Sequence, residues 1–165
     1  MITTYPGIKK MQVILCSVLA FFFVTAVGRC PAQTHPAQGN VVYVEVVGLH
    51  SSKGQISCSL FSSVEGFPKN VDKGVAHVFA PISDQRAVCA FPGIASGIYA
   101  VSVFHDENLN GKLDTNFLGV PREGVGASND AKGHMGPPKF DSAKFQFAGG
   151  RLNLKITINY LRGVL

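Results

Sequence analysis

Arg151-Leu152-Asn153-Leu154-Lys155-Ile156-Thr157-Ile158-Asn159-Tyr160 alternates polar and apolar side chains without a break. Successive side chains of a strand point to opposite faces, so this stretch predicts a β-strand with one face in a core. Shorter runs of the same period lie upstream. Phe145 and Phe147 flank Gln146, and Tyr99, Val101 and Val103 sit within Gly97 to Phe104. Ala87, Cys89 and Phe91 alternate in the same way, as do Ile56, Cys58 and Leu60, and Val42, Val44 and Val46. Val75 to Phe79 adds a further short strand. Gly149-Gly150, between two alternating runs, reads as a tight hairpin turn. No helical period is sustained after residue 28. About seven short strands separated by turn residues predict an all-β fold, an antiparallel β-sandwich.

Composition limits what such a domain does. Apolar residues make up 46% of the 165 residues and charged residues 15%, enough apolar matter for a core and too little charge for a disordered chain. The formal net charge of +5 is partly local. Lys9, Lys10 and Arg29 lie in a stretch with no acidic residue, and without them 12 basic residues face 10 acidic ones. The remaining basic residues are scattered, so no nucleic-acid partner is expected.

Lys9-Lys10, the uncharged run from Met11 to Val27, and the small residues around Ala26-Val27-Gly28 have the three parts of a secretory signal. Residues 1–28 are therefore expected to be a leader cleaved near Gly28. The alternative is an uncleaved anchor, the only route by which this chain would meet a membrane. Lipid attachment at Cys30 is disfavoured by Arg29 before it. Residues 29–39 form a Pro/Ala/Gln linker, and 40–165 the β-sandwich domain. The expected location is periplasmic or secreted. Export leads to an oxidising compartment, so Cys58 and Cys89, both on the apolar phase of their strands, read as a disulfide. Two unpaired buried thiols are the alternative.

The segment 105–142 breaks the strand pattern with about 38 residues rich in Gly, Pro, Asn and Asp. Its sharpest motif is Asp106-Glu-Asn108-Leu-Asn110-Gly111-Lys112-Leu-Asp114. Short oxygen side chains at alternate positions before a glycine look like the first half of a calcium loop. Lys112 would give its backbone carbonyl and Asp114 a second carboxylate. Phe117 stands where an EF-hand has its bidentate Glu, and Glu123 is the residue that would fold back to replace it. The competing reading is a turn held by Asx side chains with no metal. His105 beside Asp106 invites acid–base chemistry, although strand neighbours point to opposite faces. An envelope hydrolase using His105, Asp106 and Glu123 is accordingly an alternative function. A zinc or copper site from His77, His105 and His134 has no spacing to support it. Phe117, Met135 and Phe140 are either apolar contacts of a binding loop or residues packed back on the domain.

Four stretches carry a resemblance. Gly97-Ile-Tyr-Ala-Val-Ser-Val-Phe-His-Asp106, Glu107 to Asp114, Leu118-Gly-Val-Pro-Arg-Glu-Gly124 and Gly136-Pro-Pro-Lys-Phe-Asp-Ser-Ala143 resemble the bacterial domain-of-unknown-function 2141 family. The resemblance covers roughly Val41 to Tyr160. It implies an exported domain with a transthyretin-like or immunoglobulin-like sandwich and no established activity. The leading functional expectation is a binding or structural module for an envelope or extracellular ligand, with calcium as its cofactor. An accessory protein-interaction domain is the other non-enzymatic reading.

Overall fold

The computed structural model describes residues 39–161, and all but the last residue of the expected leader and linker lies outside them. Eight strands follow in chain order: β1 (Val41–Val47), β2 (Gln55–Phe61), β3 (Ala76–Pro81), β4 (Ala87–Pro92), β5 (Gly97–Asp106), β6 (Val125–Ala127), β7 (Phe145–Phe147) and β8 (Arg151–Thr157). Among the described residues one short α-helix, α1 (Phe140–Ala143), precedes β7, and two single 3-10 turns lie at Val71–Lys73 and Ser128–Asp130. Among the described residues no helix is long and apolar enough to cross a membrane.

The strands form two sheets. One has the order β4-β1-β8, the other β3-β2-β5-β6, with β7 paired to β5. Alternation decides which faces meet. Val42, Val44 and Val46 of β1 are fully buried, as are Ile56, Cys58 and Leu60 of β2. With Phe91, Val101, Val103, Phe147 and Ile156 they make the core between the sheets. Each large aliphatic or aromatic side chain buried there stabilises the fold by about 1.5–3 kcal/mol. Cys58 and Cys89 are bonded across it, their Cα atoms 6.5 Å apart, so the expected disulfide joins β2 of one sheet to β4 of the other.

The hairpin expected at Gly149-Gly150 does not form. The two glycines carry the chain from one sheet to the other: β7 pairs antiparallel with β5, and β8 pairs parallel with β1. Both glycines have φ in the left-handed region, which lets the chain swing away from β7 instead of folding back on it. The parallel register runs from Val41↔Arg151 to Val47↔Thr157. All other strand pairs are antiparallel.

The long segment expected over 105–142 is shorter as a loop, because β6 lies inside it. β6 pairs with Ser102–Phe104 of β5. Beyond β6, Ser128 accepts a hydrogen bond from the Val101 amide (2.9 Å) and donates one to the Ala143 carbonyl (2.6 Å). Ala100, Ala127 and Ala143 pack there with Phe67 and Phe140 on the outer face of the second sheet. Phe140 thus packs back on the domain, whereas Phe117 and Met135 are exposed.

Candidate functional site

Strand direction gathers the chemistry at one pole of the sandwich. β1, β5 and β8 end there, and β2 and β6 begin there, because β8 runs parallel to β1 while β2 and β6 run antiparallel to β5. Loops 48–54 and 107–124 close the pole. Gly54 fixes their contact. It has φ +72°, and a Cβ there would lie 2.0 Å from the Asp106 carbonyl oxygen, so no larger residue fits against the end of β5.

Asp106 is fully buried. Its Oδ1 accepts the Asn110 amide (3.0 Å), and its Oδ2 accepts the Gly111 amide (2.9 Å) and the Gln55 side-chain amide (2.8 Å). Asn108 Oδ1 also accepts the Asn110 amide (3.2 Å), and Asn110 Oδ1 accepts the Lys112 amide (2.7 Å). The side-chain amides of Asn108 and Asn110 both donate to Asp114, at 2.8 and 3.1 Å. Asp106, Asn108, Asn110 and Asp114 are therefore drawn into one small loop, as the motif predicts. Glu123 lies against the loop with both oxygens taken by the backbone: Oε1 accepts the Glu107 amide (2.9 Å) and Oε2 the Asp114 amide (3.0 Å). It braces the loop ends.

His105 and Asp106 diverge, as strand neighbours should. The His105 ring is fully buried, with Nε2 2.6 Å from the Lys53 carbonyl and Nδ1 2.7 Å from the Tyr160 hydroxyl. A carbonyl only accepts, so Nε2 carries the hydrogen, and in the neutral ring the Nδ1 lone pair takes the Tyr160 O–H. The structure does not assemble the hydrolase set: Asp106 and Glu123 spend their oxygens on N–H donors, and His105 faces neither. Instead His105 faces two residues that the sequence reading did not select with it. His50 Nε2 lies 3.1 Å from Glu107 Oε1, and His105 Nδ1 lies 3.9 Å from the same oxygen. His50 stacks on Tyr160 with ring centroids 4.0 Å apart. Gly124 makes room for that phenol, since a Cβ there would come within 2.5 Å of the Tyr160 ring.

His77 is elsewhere, on the outer face of the second sheet, 2.8 Å from the Ser57 hydroxyl. Burial lowers its pKa. Among the described residues the only His, Cys, Asp or Glu trio with ligand atoms within 4.8 Å of one another is His50, His105 and Glu107, which replaces the His77, His105 and His134 set weighed from the sequence.

The match to a family model covers residues 44–155, through both sheets and the pole, and the family is described as uncharacterized protein conserved in bacteria (DUF2141). The chain belongs to the DUF2141 family. No curated protein and no solved structure matches the chain. The DUF2141 match takes in His50, His105, Glu107 and Glu123, and ends before Tyr160.

Proposed function

We propose that this DUF2141 chain is an exported binding module whose Asp106–Asp114 loop takes a calcium ion. One observation carries the reading. The Asn110 amide is shared by Asp106 Oδ1 and Asn108 Oδ1, at 3.0 and 3.2 Å, and both loop asparagines reach Asp114. Oxygen groups from the motif's alternate positions and from Asp114 thus share common partners. Calcium prefers such a set of hard oxygens. An oxygen that accepts one N–H retains a lone pair for a cation. Asp106, Asn108, Asn110, the Lys112 carbonyl and Asp114 would hold the ion, with Glu123 bracing the backbone. The ion would fix the loop at the pole, beside the exposed Leu109, Phe117 and Leu118, which would contact an envelope or extracellular ligand. Export is supported by the Cys58–Cys89 disulfide, which needs an oxidising compartment.

The test is a thermal melt with increasing calcium. Ligation to the folded state alone adds about 2.7 kcal/mol at 100 times the dissociation constant, which raises Tm by several degrees. The titration has to pass about 1 mM, since extracellular sites are often weak. Asp114→Asn should diminish the shift and Lys112→Ala should retain it, because only a backbone carbonyl is used there. A Tm unmoved by calcium leaves a plain Asx-held turn.

A further inference from the structure

We propose that His50, His105 and Glu107 form a second site, for a divalent transition-metal ion of the zinc class, separate from the calcium loop. Two imidazoles and one carboxylate are the donor set that such ions favour, and calcium and magnesium, which seek oxygen, do not. The ligand atoms of all three residues lie within 4.8 Å of one another. A tetrahedral ion with bonds of about 2.0–2.1 Å sets its donors roughly 3.3 Å apart. The His50 Nε2–Glu107 Oε1 separation is 3.1 Å and the His105 Nδ1–Glu107 Oε1 separation 3.9 Å. Closing the trio around an ion needs only small side-chain shifts.

Three features make this more than a surface ion pair beside a buried histidine. The first is orientation. A metal-bound imidazole typically donates its other ring N–H to a carbonyl or carboxylate, which fixes the tautomer. His105 already does so: its Nε2 meets the Lys53 carbonyl at 2.6 Å, which leaves Nδ1 as the acceptor nitrogen, 2.7 Å from the Tyr160 hydroxyl and 3.9 Å from Glu107 Oε1. The second is support. His105 is the second-to-last residue of β5, with its own amide bonded to the Gly124 carbonyl (2.8 Å), and the Glu107 amide is held by Glu123 (2.9 Å). The backbone that presents both ligands is thus anchored before an ion arrives. The third is access. The His105 side chain is fully buried, while those of His50 and Glu107 are 29% and 31% exposed. A floor that is dry and a rim that is open leave the remaining coordination position to water or to a ligand. The ion would compete with the Tyr160 O–H for the Nδ1 lone pair, so the phenol would redirect that hydrogen when the metal binds.

The experiment uses the protein expressed with its own leader and without a histidine tag, stripped with a chelator and titrated with zinc against a competing chelator. One equivalent should bind. Cobalt(II) in place of zinc should give the visible bands of a site with nitrogen ligands in low coordination. His50→Ala and Glu107→Gln should each weaken zinc binding about tenfold or more. Both side chains are partly exposed, so these variants should melt as wild type does, and they keep the test valid where a His105 variant fails to fold. Asp114→Asn should leave zinc binding unchanged, and Glu107→Gln should leave any calcium shift unchanged, so the two sites succeed or fail separately. Absence of stoichiometric zinc uptake by the wild-type protein, or wild-type affinity in either His50→Ala or Glu107→Gln, overturns the proposal.

Discussion

Glu123 is 5% exposed and gives both carboxylate oxygens to backbone amides, those of Glu107 and Asp114. One side chain thereby ties the entry of the 107–124 loop to its eighth residue. Hydrogen bonds to an ionised acceptor are the stronger kind, and a buried donor left without an acceptor costs about 1–3 kcal/mol. Glu123→Gln keeps the shape and puts an NH2 group against one of the two N–H donors. We expect it to lower stability by about 1–3 kcal/mol, read as a lower urea midpoint at unchanged m. An unchanged midpoint would show that the loop holds without its brace. Asp106, which accepts three hydrogen bonds, has the same character at the other end of the motif. The alternation of Asp106, Asn108 and Asn110 was readable in the sequence because Asx side chains act within a few residues of their own backbone. The partner of Glu123 was not, since nothing local ties residue 123 to residue 107.

Strands were legible where one face is buried and the other wet. β1 shows the full alternation, and β4 likewise. β6 was missed because three residues that include a glycine carry no readable period. The turn at Gly149-Gly150 was misread for a different reason: two glycines between strands specify freedom of φ, and freedom serves a crossing between sheets as well as a hairpin. That error hid the site. In-register parallel pairing sets Val47 beside Thr157, so His50 and Tyr160, each three residues further on, meet and stack. A hairpin would have paired β8 with β7 and carried Tyr160 away from His50 instead. The pairing of β2 with β3 carries a second consequence. His77, diagonal to Ser57 across these strands, has its pKa lowered by burial from the ordinary 6.5 of an imidazole. The unfolded chain then binds a proton more readily than the folded one. Stability contributed by this residue is present above the unfolded value and is lost as pH falls through the folded one. His77→Gln should flatten the pH dependence of the urea midpoint below about pH 6.5, measured against wild type. An identical slope in the two proteins would assign the acid response to other groups.

At the scale of the molecule, two sheets of unequal size share one core, and the chain crosses between them several times. The most direct covalent tie across that core is Cys58–Cys89, with a sequence separation of 31. In the chain-entropy account such a link stabilises by restricting the unfolded chain, here by about 3–4 kcal/mol. Its placement matters as much as its loop length. β2 and β4 lie in different sheets, and Cys58 and Cys89 are 0% and 1% exposed. The bond therefore holds the sheets face to face from inside the core. Replacing both cysteines by alanine removes the link and also leaves two small voids, so the loss should reach at least the entropic figure. For a domain of this size that corresponds to a fall in Tm of roughly 10–20 °C. The unfolded variant, no longer cross-linked, is more expanded and exposes more surface, so its urea m-value should rise. These two signs together separate the link from simple core damage, which lowers Tm and leaves m unchanged. Wild-type protein melted with enough reductant to free both thiols, confirmed by thiol titration, should match the variant to within a few degrees. Should the reduced protein melt as the oxidised one does, the core alone would be holding the sheets together, and the disulfide would add nothing to the fold's stability.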